Sequence, residues 1–356
     1  MPASCSPGID WWPGLPVVKR TAGFRRFRMI NLDSGVKKQM VAEKIKNFIG
    51  LFSWSLILII MLILLRPLPS WAQTKILENT VYQADNLVVS LFPKLPLQGQ
   101  AVIVSISCRQ ASPVPRQLVL LGKKFKIVAV DEGEYKAVCA VPLNAPLGSQ
   151  QLGIDLADAT VVEIPLTILA GNYGEEHLHL PAEMVNPTKV AHLMQIKNDR
   201  IRLRQIYGSS KAVIRFSQPF IRPLKSTIIT PFGRRRFLNE TPKSPHGGID
   251  LRGKTGTPVP AAAGGKVAFS GKLYYSGNAV IIDHGLDVFS LYLHLDTLSV
   301  AEGDQVNQGQ VIGKLGSTGR VTGPHLHWGI KINGIFVDPL EFINESRLLL
   351  QPVGEE

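Results

Sequence analysis

The feature that most constrains this chain is one long apolar segment, residues 48–65, with the sequence FIGLFSWSLILIIMLILL. The segment is apolar on every face, so it does not fit an amphipathic helix at the edge of a soluble core. It spans eighteen residues without a charge, which is long enough to cross a bilayer. The segment therefore divides the chain, and we expect the residues that follow it to lie outside the cytoplasm.

The flanks of this segment are those of a secretory signal. Several lysines between positions 37 and 46 precede it, and Ser70-Trp71-Ala72 follows it as a small-x-small cleavage site. We predict a signal peptide over residues 48–72 that is cleaved after Ala72. The alternative is an uncleaved inner-membrane anchor through residues 48–65. Both interpretations predict an exported protein of the periplasm or cell envelope.

The formal charge of +12 does not indicate a nucleic-acid partner. Residues 1–72 hold ten Lys/Arg against three Asp/Glu, so more than half of the excess lies around the apolar segment. No base-stacking module follows, and we expect no nucleic-acid binding. Residues 1–47 are interpreted as a cytoplasmic extension, or as residues upstream of a true start at Met29 or Met40.

Residues 76–170 alternate short apolar runs with turn signals, among them NLVVSLF, QAVIVSISC, FKIVAV and YKAVCAV. Closely spaced short strands of this kind predict a small β-sandwich of immunoglobulin-like type. The region has no acid–base cluster, so we expect no catalysis there. Cys108 and Cys139 both lie in predicted strands, and in an oxidising compartment they either form a disulfide or remain two buried thiols.

Residues 171–225 are predicted to be a connector that contains one helix, roughly Thr188–Ile206, rich in Lys and Arg. His177 and His179 would share one face of a strand there. No acidic residue accompanies them in a motif, so we do not expect them to bind a metal.

The candidate catalytic and metal-binding residues lie in the C-terminal part of the chain, where histidines recur in three short motifs. The first motif, SPHGGIDL, contains Pro and paired Gly, so it is predicted to be a loop that runs into a strand. His246 and Asp250 can then converge on one point, and imidazole nitrogen and carboxylate oxygen are suitable zinc ligands. This motif alone is a weak signal.

The second and third motifs place histidines in strands. In LYLHL, His294 lies among alternating apolar residues, with Tyr292 expected on the same face; a core histidine is the rival interpretation. In GPHLHWGI, a period of two puts His325 and His327 on one face with Leu326 buried behind them.

Together these motifs predict a catalytic zinc centre, because such a site needs three protein ligands and an open position. His246, Asp250 and one histidine of the HLH pair supply the set, and the spacing does not say which one. A structural zinc site would more often use four ligands including Cys, and residues 226–342 contain no Cys.

The three motifs in this order resemble the lysostaphin-type, or LytM-like, zinc endopeptidases. The resemblance extends over residues 226–342 and includes TPFGRR, GTPV, GNAV, DHG and GSTG. It implies a compact antiparallel β fold with the site in a groove, and strand-like segments such as GKVAFSG and NAVIIDHG agree with that fold.

The resemblance also implies roles for residues. It makes His246, Asp250 and His327 the zinc ligands and His325 the general base. It gives His294 the task of orienting water or stabilising the oxyanion. His284, which has no ligand role in that family, is interpreted as structural.

Three further residues are candidates for substrate binding: Arg234, Asn278 and Tyr292. Arg234, with Arg235 beside it, would bind a carboxylate or form a solvated charged face, and Asn278 would line the groove or cap a turn. The predicted function is an exported zinc endopeptidase that hydrolyses stem or cross-link peptides of peptidoglycan. The alternative is a latent module that binds peptidoglycan or activates a cell-wall amidase.

The resulting expectation is a mainly β chain in several parts. The β-sandwich would serve as a spacer, a wall-binding module or a cover for the site, and residues 343–356 would form a C-terminal tail. The sequence does not indicate an oligomeric state.

Overall fold

The structure, a computed structural model, describes residues 80–84, 87–108 and 113–353. The predicted signal or anchor, the extension before it and Cys5 lie outside these residues. Within the described residues, no helix is long and apolar enough to cross a membrane. The described chain is mainly β, as predicted, and its helices are α1 Ala182–Val185, α2 Val190–Tyr207 and α3 Pro339–Glu345.

The first eight strands form one antiparallel sheet, called sheet I. They are β1 Thr80–Ala84, β2 Leu87–Phe92, β3 Ala101–Cys108, β4 Pro115–Leu120, β5 Lys123–Asp131, β6 Glu134–Ala140, β7 Gly148–Leu156 and β8 Val161–Ile168. Their order is β1-β2-β3-β6-β5-β4-β7-β8. Successive side chains of a strand point to opposite faces of the sheet, so one face of sheet I is buried. In β8, for example, Ile164, Leu166 and Ile168 are buried while the residues between them are exposed.

The two cysteines of sheet I lie at opposite ends of one strand pair. In the antiparallel register of β3 and β6, Cys139 is opposite Val102, and Cys108 lies six residues further along β3. Six residues of strand span about 20 Å, whereas a disulfide needs Cα atoms within about 7 Å. Both thiols are free, so the disulfide alternative is wrong and the alternative of unpaired thiols holds.

The connector contributes both a strand and a helix. Its strand β9, Glu175–Leu178, pairs in parallel with β11, Arg235–Leu238, which in turn pairs with β12, Thr241–Pro242. Helix α2 occupies the segment for which the sequence predicts a helix, and its Asp199 carboxylate accepts a hydrogen bond from the Tyr274 backbone N–H at 2.7 Å. The connector is therefore attached to the C-terminal half along much of its length.

The remaining strands form a ten-stranded sheet, called sheet II. They are β10 Ile228–Thr230, β13 Ile249–Arg252, β14 Pro258–Pro260, β15 Gly265–Leu273, β16 Gly277–Asp283, β17 Val288–Leu298, β18 Gln305–Val306, β19 Val311–Leu315, β20 His325–Ile332 and β21 Ile335–Val337. The main path is β10-β13-β20-β17-β16-β15-β18, and β19 joins β14 to β17. Strands β13, β20 and β17 are adjacent, so the three histidine motifs meet in the middle of this sheet.

Sheets I and II share one hydrophobic core, and the described residues belong to one compact unit. Lys136 of β6 is fully buried, and its Nζ donates to Ser105 Oγ at 2.9 Å and to the Leu348 carbonyl oxygen at 2.8 Å. Leu348 and Leu349 are each 2% exposed. The segment after residue 342, which the sequence predicts to be a tail, is thus packed against sheet I through at least residue 349.

Candidate active site

Two adjacent strands bring the first and third motifs together. In the antiparallel pairing of β13 and β20, Asp250 lies directly opposite His327. Their side chains meet at 2.9 Å, Asp250 Oδ1 to His327 Nδ1. His246, in the loop before β13, places its Nε2 3.0 Å from the same Asp250 oxygen and 2.9 Å from His327 Nδ1.

The donor set of this triad fits a metal cation. His246 Nδ1 lies 2.8 Å from the Pro231 carbonyl oxygen, which can only accept, so the proton is on Nδ1 and the lone pair is on Nε2. That lone pair points at the Asp250 carboxylate, and two acceptors 3.0 Å apart are satisfied by a cation between them. The three ligand atoms lie within 4.8 Å of one another, so they could hold one metal ion.

Glycine makes the close approach of the triad possible. A Cβ at Gly248 would lie 2.8 Å from His327 Nε2 and would also meet the Trp328 carbonyl oxygen. A Cβ at Gly247 would lie 2.9 Å from the ring of Phe336. The paired glycines of the first motif are therefore needed for space.

Two further histidines lie beside the triad. His325 Nε2 is 3.7 Å from Asp250 Oδ1, and its Nδ1–H donates to the Gly323 carbonyl oxygen at 2.9 Å. His294 Nδ1–H donates to the Thr318 carbonyl oxygen at 2.9 Å, and its ring centroid is 5.1 Å from that of His325. In both rings the backbone carbonyl holds the proton on Nδ1, so Nε2 is left as a proton acceptor.

His294 reaches the site through an irregularity in its strand. Its φ is +66°, and its N–H donates to the Ser276 carbonyl oxygen instead of continuing the ladder with β16. The register shifts between β16 and β17 at this position. A strict period of two would have put His294 on the same face as Tyr292, and that prediction is wrong because the bulge rotates His294 toward the groove.

Burial and mutual contact set the electrostatics of the site. Burial alone would raise the pKa of the Asp250 carboxyl, but hydrogen bonds and charge from His246 and His327 hold it far below its usual range. Burial lowers the pKa of His327 to about 4 and that of His294 to about 3. Asp250 is therefore an ionised carboxylate and His327 a neutral imidazole, which are the forms that bind a metal.

The residues predicted to bind substrate do not face this site. Tyr292 is fully buried, and its hydroxyl accepts the Ala262 N–H at 2.7 Å. Asn278 donates to the Asp296 carbonyl oxygen at 3.0 Å, and Arg234 donates to the Glu175 carbonyl oxygen at 3.1 Å. These hydrogen bonds turn all three side chains toward backbone, and none of the three lines the cavity beside the triad. Substrate binding by these residues stays a prediction.

His284 and His177 lie outside the site. His284 is fully buried, and its ring nitrogens contact the Gly264 carbonyl oxygen and Ser290 Oγ, each at 2.7 Å. His177 stacks on Phe237 with ring centroids 4.7 Å apart and is half exposed.

Arg236 is the arginine that contacts the site, and the sequence analysis missed it. Its guanidinium lies 3.3 Å from Asp250 Oδ2 and 2.8 Å from Glu176 Oε2. Three consecutive arginines, 234–236, give no sequence signal for which one faces inward. The parallel pairing of Arg236 with Glu176 of β9 determines that Arg236 is the one that faces the site.

The site opens into a groove of about 810 Å³, called the active-site groove. Its lining residues include Glu176, Leu180 and Val185 of the connector and all of residues 320–325. His294, His325 and His327 all line it, whereas His246 lies beneath its floor. The triad therefore borders a groove that both the connector and residues 320–325 line.

Part of this chain is similar to known peptidases. Residues 244–339 match the family described as Peptidase family M23. Over 121 residues the chain is 48% identical to the DD-carboxypeptidase/endopeptidase Mpg of Neisseria meningitidis, a match that covers 34% of this chain and 28% of that protein. Over 111 residues it is 41% identical to the peptidoglycan DD-endopeptidase ShyA of Vibrio cholerae, covering 31% and 26%. The chain thus spans about a quarter of these relatives.

A solved structure matches more of the chain. A crystal structure of a peptidase M23 from Pseudomonas aeruginosa superposes with a TM-score of 0.54 at 28% identity, and the match covers 70% of this chain and 95% of that one. Because 70% of the chain is more than sheet II and the connector supply, the similarity includes strands of sheet I.

Proposed function

We propose that this protein is an exported zinc-dependent endopeptidase that hydrolyses peptide bonds in bacterial peptidoglycan. The match of residues 244–339 to peptidase family M23 supports this proposal. The observation that carries the proposal is the convergence of His246 Nε2, Asp250 Oδ1 and His327 Nδ1 beside two further imidazoles. The names of the relatives from Neisseria and Vibrio support the substrate class.

The proposed metal ligands are His246 through Nε2, Asp250 through Oδ1 and His327 through Nδ1. Zinc fits them because it accepts nitrogen and carboxylate ligands and needs only three from the protein at a catalytic site. Zinc bound there supplies a Lewis acid that polarises the scissile carbonyl and makes water more acidic. The Pro231 carbonyl behind His246 and Arg236 behind Asp250 hold these ligands in orientation.

His325 is proposed as the general base. Its Nε2 faces the triad at 3.7 Å from Asp250 Oδ1, while Gly323 holds the proton on the other ring nitrogen. A base in this state takes a proton from the attacking water and passes it to the leaving amine. Peptide hydrolysis requires both transfers, because an amide anion is a poor leaving group.

His294 is proposed to orient the water molecule. Since its Nδ1–H is donated to Thr318, its Nε2 can only accept a hydrogen bond in the neutral ring. An acceptor positions a water hydrogen, whereas an oxyanion requires a donor. The family resemblance implies that His294 either orients water or stabilises the oxyanion. Its hydrogen bond to Thr318 favours the orientation of water.

The envelope is the proposed location, because peptidoglycan lies outside the cytoplasm and the apolar segment 48–65 predicts export. We propose that the apolar segment is either removed by cleavage after Ala72 or retained as a membrane anchor. The connector, which lines part of the active-site groove, is proposed to contribute to substrate binding, and sheet I to support it.

The test is digestion of peptidoglycan by the full chain, purified in detergent and loaded with zinc. We expect about one zinc per chain, and soluble muropeptides released from purified sacculi, with the cleaved bond identified by mass spectrometry. Treatment with a chelator should abolish release, and zinc should restore it. If the loaded protein binds sacculi but leaves them and defined muropeptides intact, the endopeptidase proposal fails and the latent binding or amidase-activating module remains.

A further inference from the structure

The backbone of His294 is held by the turn between β15 and β16, residues 274–276, called the hairpin turn. The Ser276 carbonyl oxygen accepts the His294 N–H at 2.9 Å. His294 has a φ of +66°, a left-handed conformation that residues with a side chain rarely adopt and that persists only where surrounding contacts fix it. The position of the His294 ring therefore depends on where the hairpin turn lies.

The hairpin turn also holds the loop that orients the ring of His294. Thr318 accepts the Nδ1–H of His294 at 2.9 Å through its carbonyl oxygen. The Thr318 hydroxyl accepts the Asn278 N–H at 2.9 Å, and the Tyr275 carbonyl oxygen accepts the Arg320 N–H at 2.8 Å. Both hydrogen bonds of His294 thus lead back to the hairpin turn and the start of β16.

Helix α2 of the connector holds the hairpin turn in place. Asp199 Oδ2 accepts the Tyr274 N–H at 2.7 Å, and its charge makes this stronger than a bond between neutral groups. Two helical turns earlier, His192 Nδ1 lies 3.2 Å from the Tyr274 hydroxyl, and the two ring centroids are 5.0 Å apart. Residues seven positions apart lie on one face of a helix, so α2 contacts both the backbone and the side chain of Tyr274.

We infer that Asp199 is a positioning residue for His294, and that it acts through Tyr274 and the hairpin turn. The inference rests on the proposed function, in which His294 orients the attacking water. Asp199 does not line the active-site groove, so its effect on the site passes through the turn. Helix α2 precedes residues 244–339, the segment that matches the family, so the connector supports the site from outside that segment.

The carboxylate of Asp199 can be removed without detaching α2. Ile206 of this helix is buried in an apolar cluster with Phe269 and Leu273 of β15. Burial of apolar surface holds this part of the helix on sheet II, and it does not depend on Asp199. Loss of the carboxylate should therefore free the Tyr274 N–H and loosen the hairpin turn while α2 stays bound.

The experiment measures cleavage of one defined cross-linked muropeptide by the zinc-loaded full chain. For Asp199→Ala we expect kcat to fall by about 10- to 100-fold, with KM and zinc content near wild type, because a small displacement of a catalytic group lowers the rate. Asp199→Asn keeps an acceptor oxygen at the same position, so it should retain most of the activity. Asn198→Ala is the matched control, because Asn198 is an exposed neighbour on α2 and Asn and Asp have similar helix propensities.

A double-mutant cycle with His294→Ala identifies the route of the effect. If Asp199 acts through His294, Asp199→Ala should lower kcat by less than about 2-fold in the His294→Ala background. A general loosening of the fold would lower kcat by the same factor in both backgrounds. Thermal unfolding checks that each variant is folded. Asp199→Ser, whose shorter side chain also withdraws the acceptor, takes the place of Asp199→Ala if that variant does not fold.

Four results would overturn the inference while the peptidase proposal stands. They are a wild-type kcat in Asp199→Ala, a loss that appears in KM alone, an Asp199→Asn variant as impaired as Asp199→Ala, and an equal loss in the His294→Ala background. A wild-type protein that cuts neither this muropeptide nor purified sacculi overturns the proposed function itself.

Discussion

The Nδ1–H of His246 donates to the carbonyl oxygen of Pro231 at 2.8 Å, and this bond turns the Nε2 lone pair of the ring toward Asp250. Pro231 lies fifteen residues earlier, just after β10. Strand β10 pairs with β13, where Thr230 lies opposite Asp250. One strand pair thus places Asp250 and also the carbonyl that fixes the tautomer of His246, which are two of the three proposed metal ligands.

Removal of His246 should abolish both metal binding and activity. Changing a residue that only hydrogen-bonds to a metal ligand typically weakens metal binding by about 10- to 100-fold. Because His246 is proposed as a ligand itself, we expect His246→Ala to weaken zinc binding by more than about 100-fold. Metal content by mass spectrometry and muropeptide release would measure the two effects. His179→Ala is the control, because His179 is exposed and lies outside the groove. Retention of stoichiometric zinc in His246→Ala would contradict the ligand assignment.

Removal of His325 should separate chemistry from metal binding. For His325→Ala we expect kcat to fall by about 10²- to 10⁴-fold, the usual contribution of a general base, while zinc content stays near the wild-type value. The same two measurements apply. A variant that lost its zinc would instead make His325 a ligand.

A methyl group at Gly248 should displace His327 or its surroundings. Its Cβ would lie 2.8 Å from His327 Nε2, so either His327 or strand β13 must move. We expect Gly248→Ala to lower the free energy of unfolding by about 1–3 kcal/mol and to reduce zinc affinity. Gly153→Ala is the control, because its Cβ would make only ordinary contacts of 3.5 Å or more. Equal thermal stability and zinc affinity in the two variants would show that the site accommodates the methyl group.

His284 should make the fold less stable in mild acid. Burial lowers its pKa to about 4 from the ordinary 6.5, so between these values the unfolded chain binds a proton that the folded chain does not. Stability should therefore fall as the pH falls, by about 2 kcal/mol between about pH 7.5 and about pH 5 from this group alone. Urea unfolding of wild type and His284→Asn measures it. The difference in stability between the two proteins should narrow at the lower pH, and a constant difference would refute the prediction.

Lys136 should stabilise the contact between sheet I and the C-terminal segment. Lys136→Met removes the donor to Ser105 Oγ and the Leu348 carbonyl oxygen in a fully buried place. Buried acceptors left unsatisfied typically cost about 1–3 kcal/mol each, so thermal denaturation should show a clear loss. Lys124→Met, at an exposed position of β5, should change stability by less than about 0.5 kcal/mol. A similarly small change for Lys136→Met would mean that the buried amine contributes little.

The sequence predicted the family and the mainly β character of the described chain, and the M23 match confirms the recognition over residues 244–339. It did so because the ligand-bearing motifs are short and local, and His246-x-Gly-x-Asp250 and His325-Leu-His327 each constrain a loop or strand by themselves. The placement of the three candidate substrate-binding residues was not predictable in this way. Arg234, Asn278 and Tyr292 were plausible by residue type, and backbone hydrogen bonds made elsewhere in the chain turn them away from the groove.

The amino-acid sequence supplies the chemical groups and the period of two that keeps His325 and His327 on one face. Which of these groups meet depends on how the strands pair. The register of β13 and β20 sets Asp250 opposite His327, a bulge rotates His294 into the groove, and the parallel pairing of β9 and β11 selects Arg236. The physical reason is that strand pairing and bulges join residues far apart in sequence, and local propensity carries no information about that register.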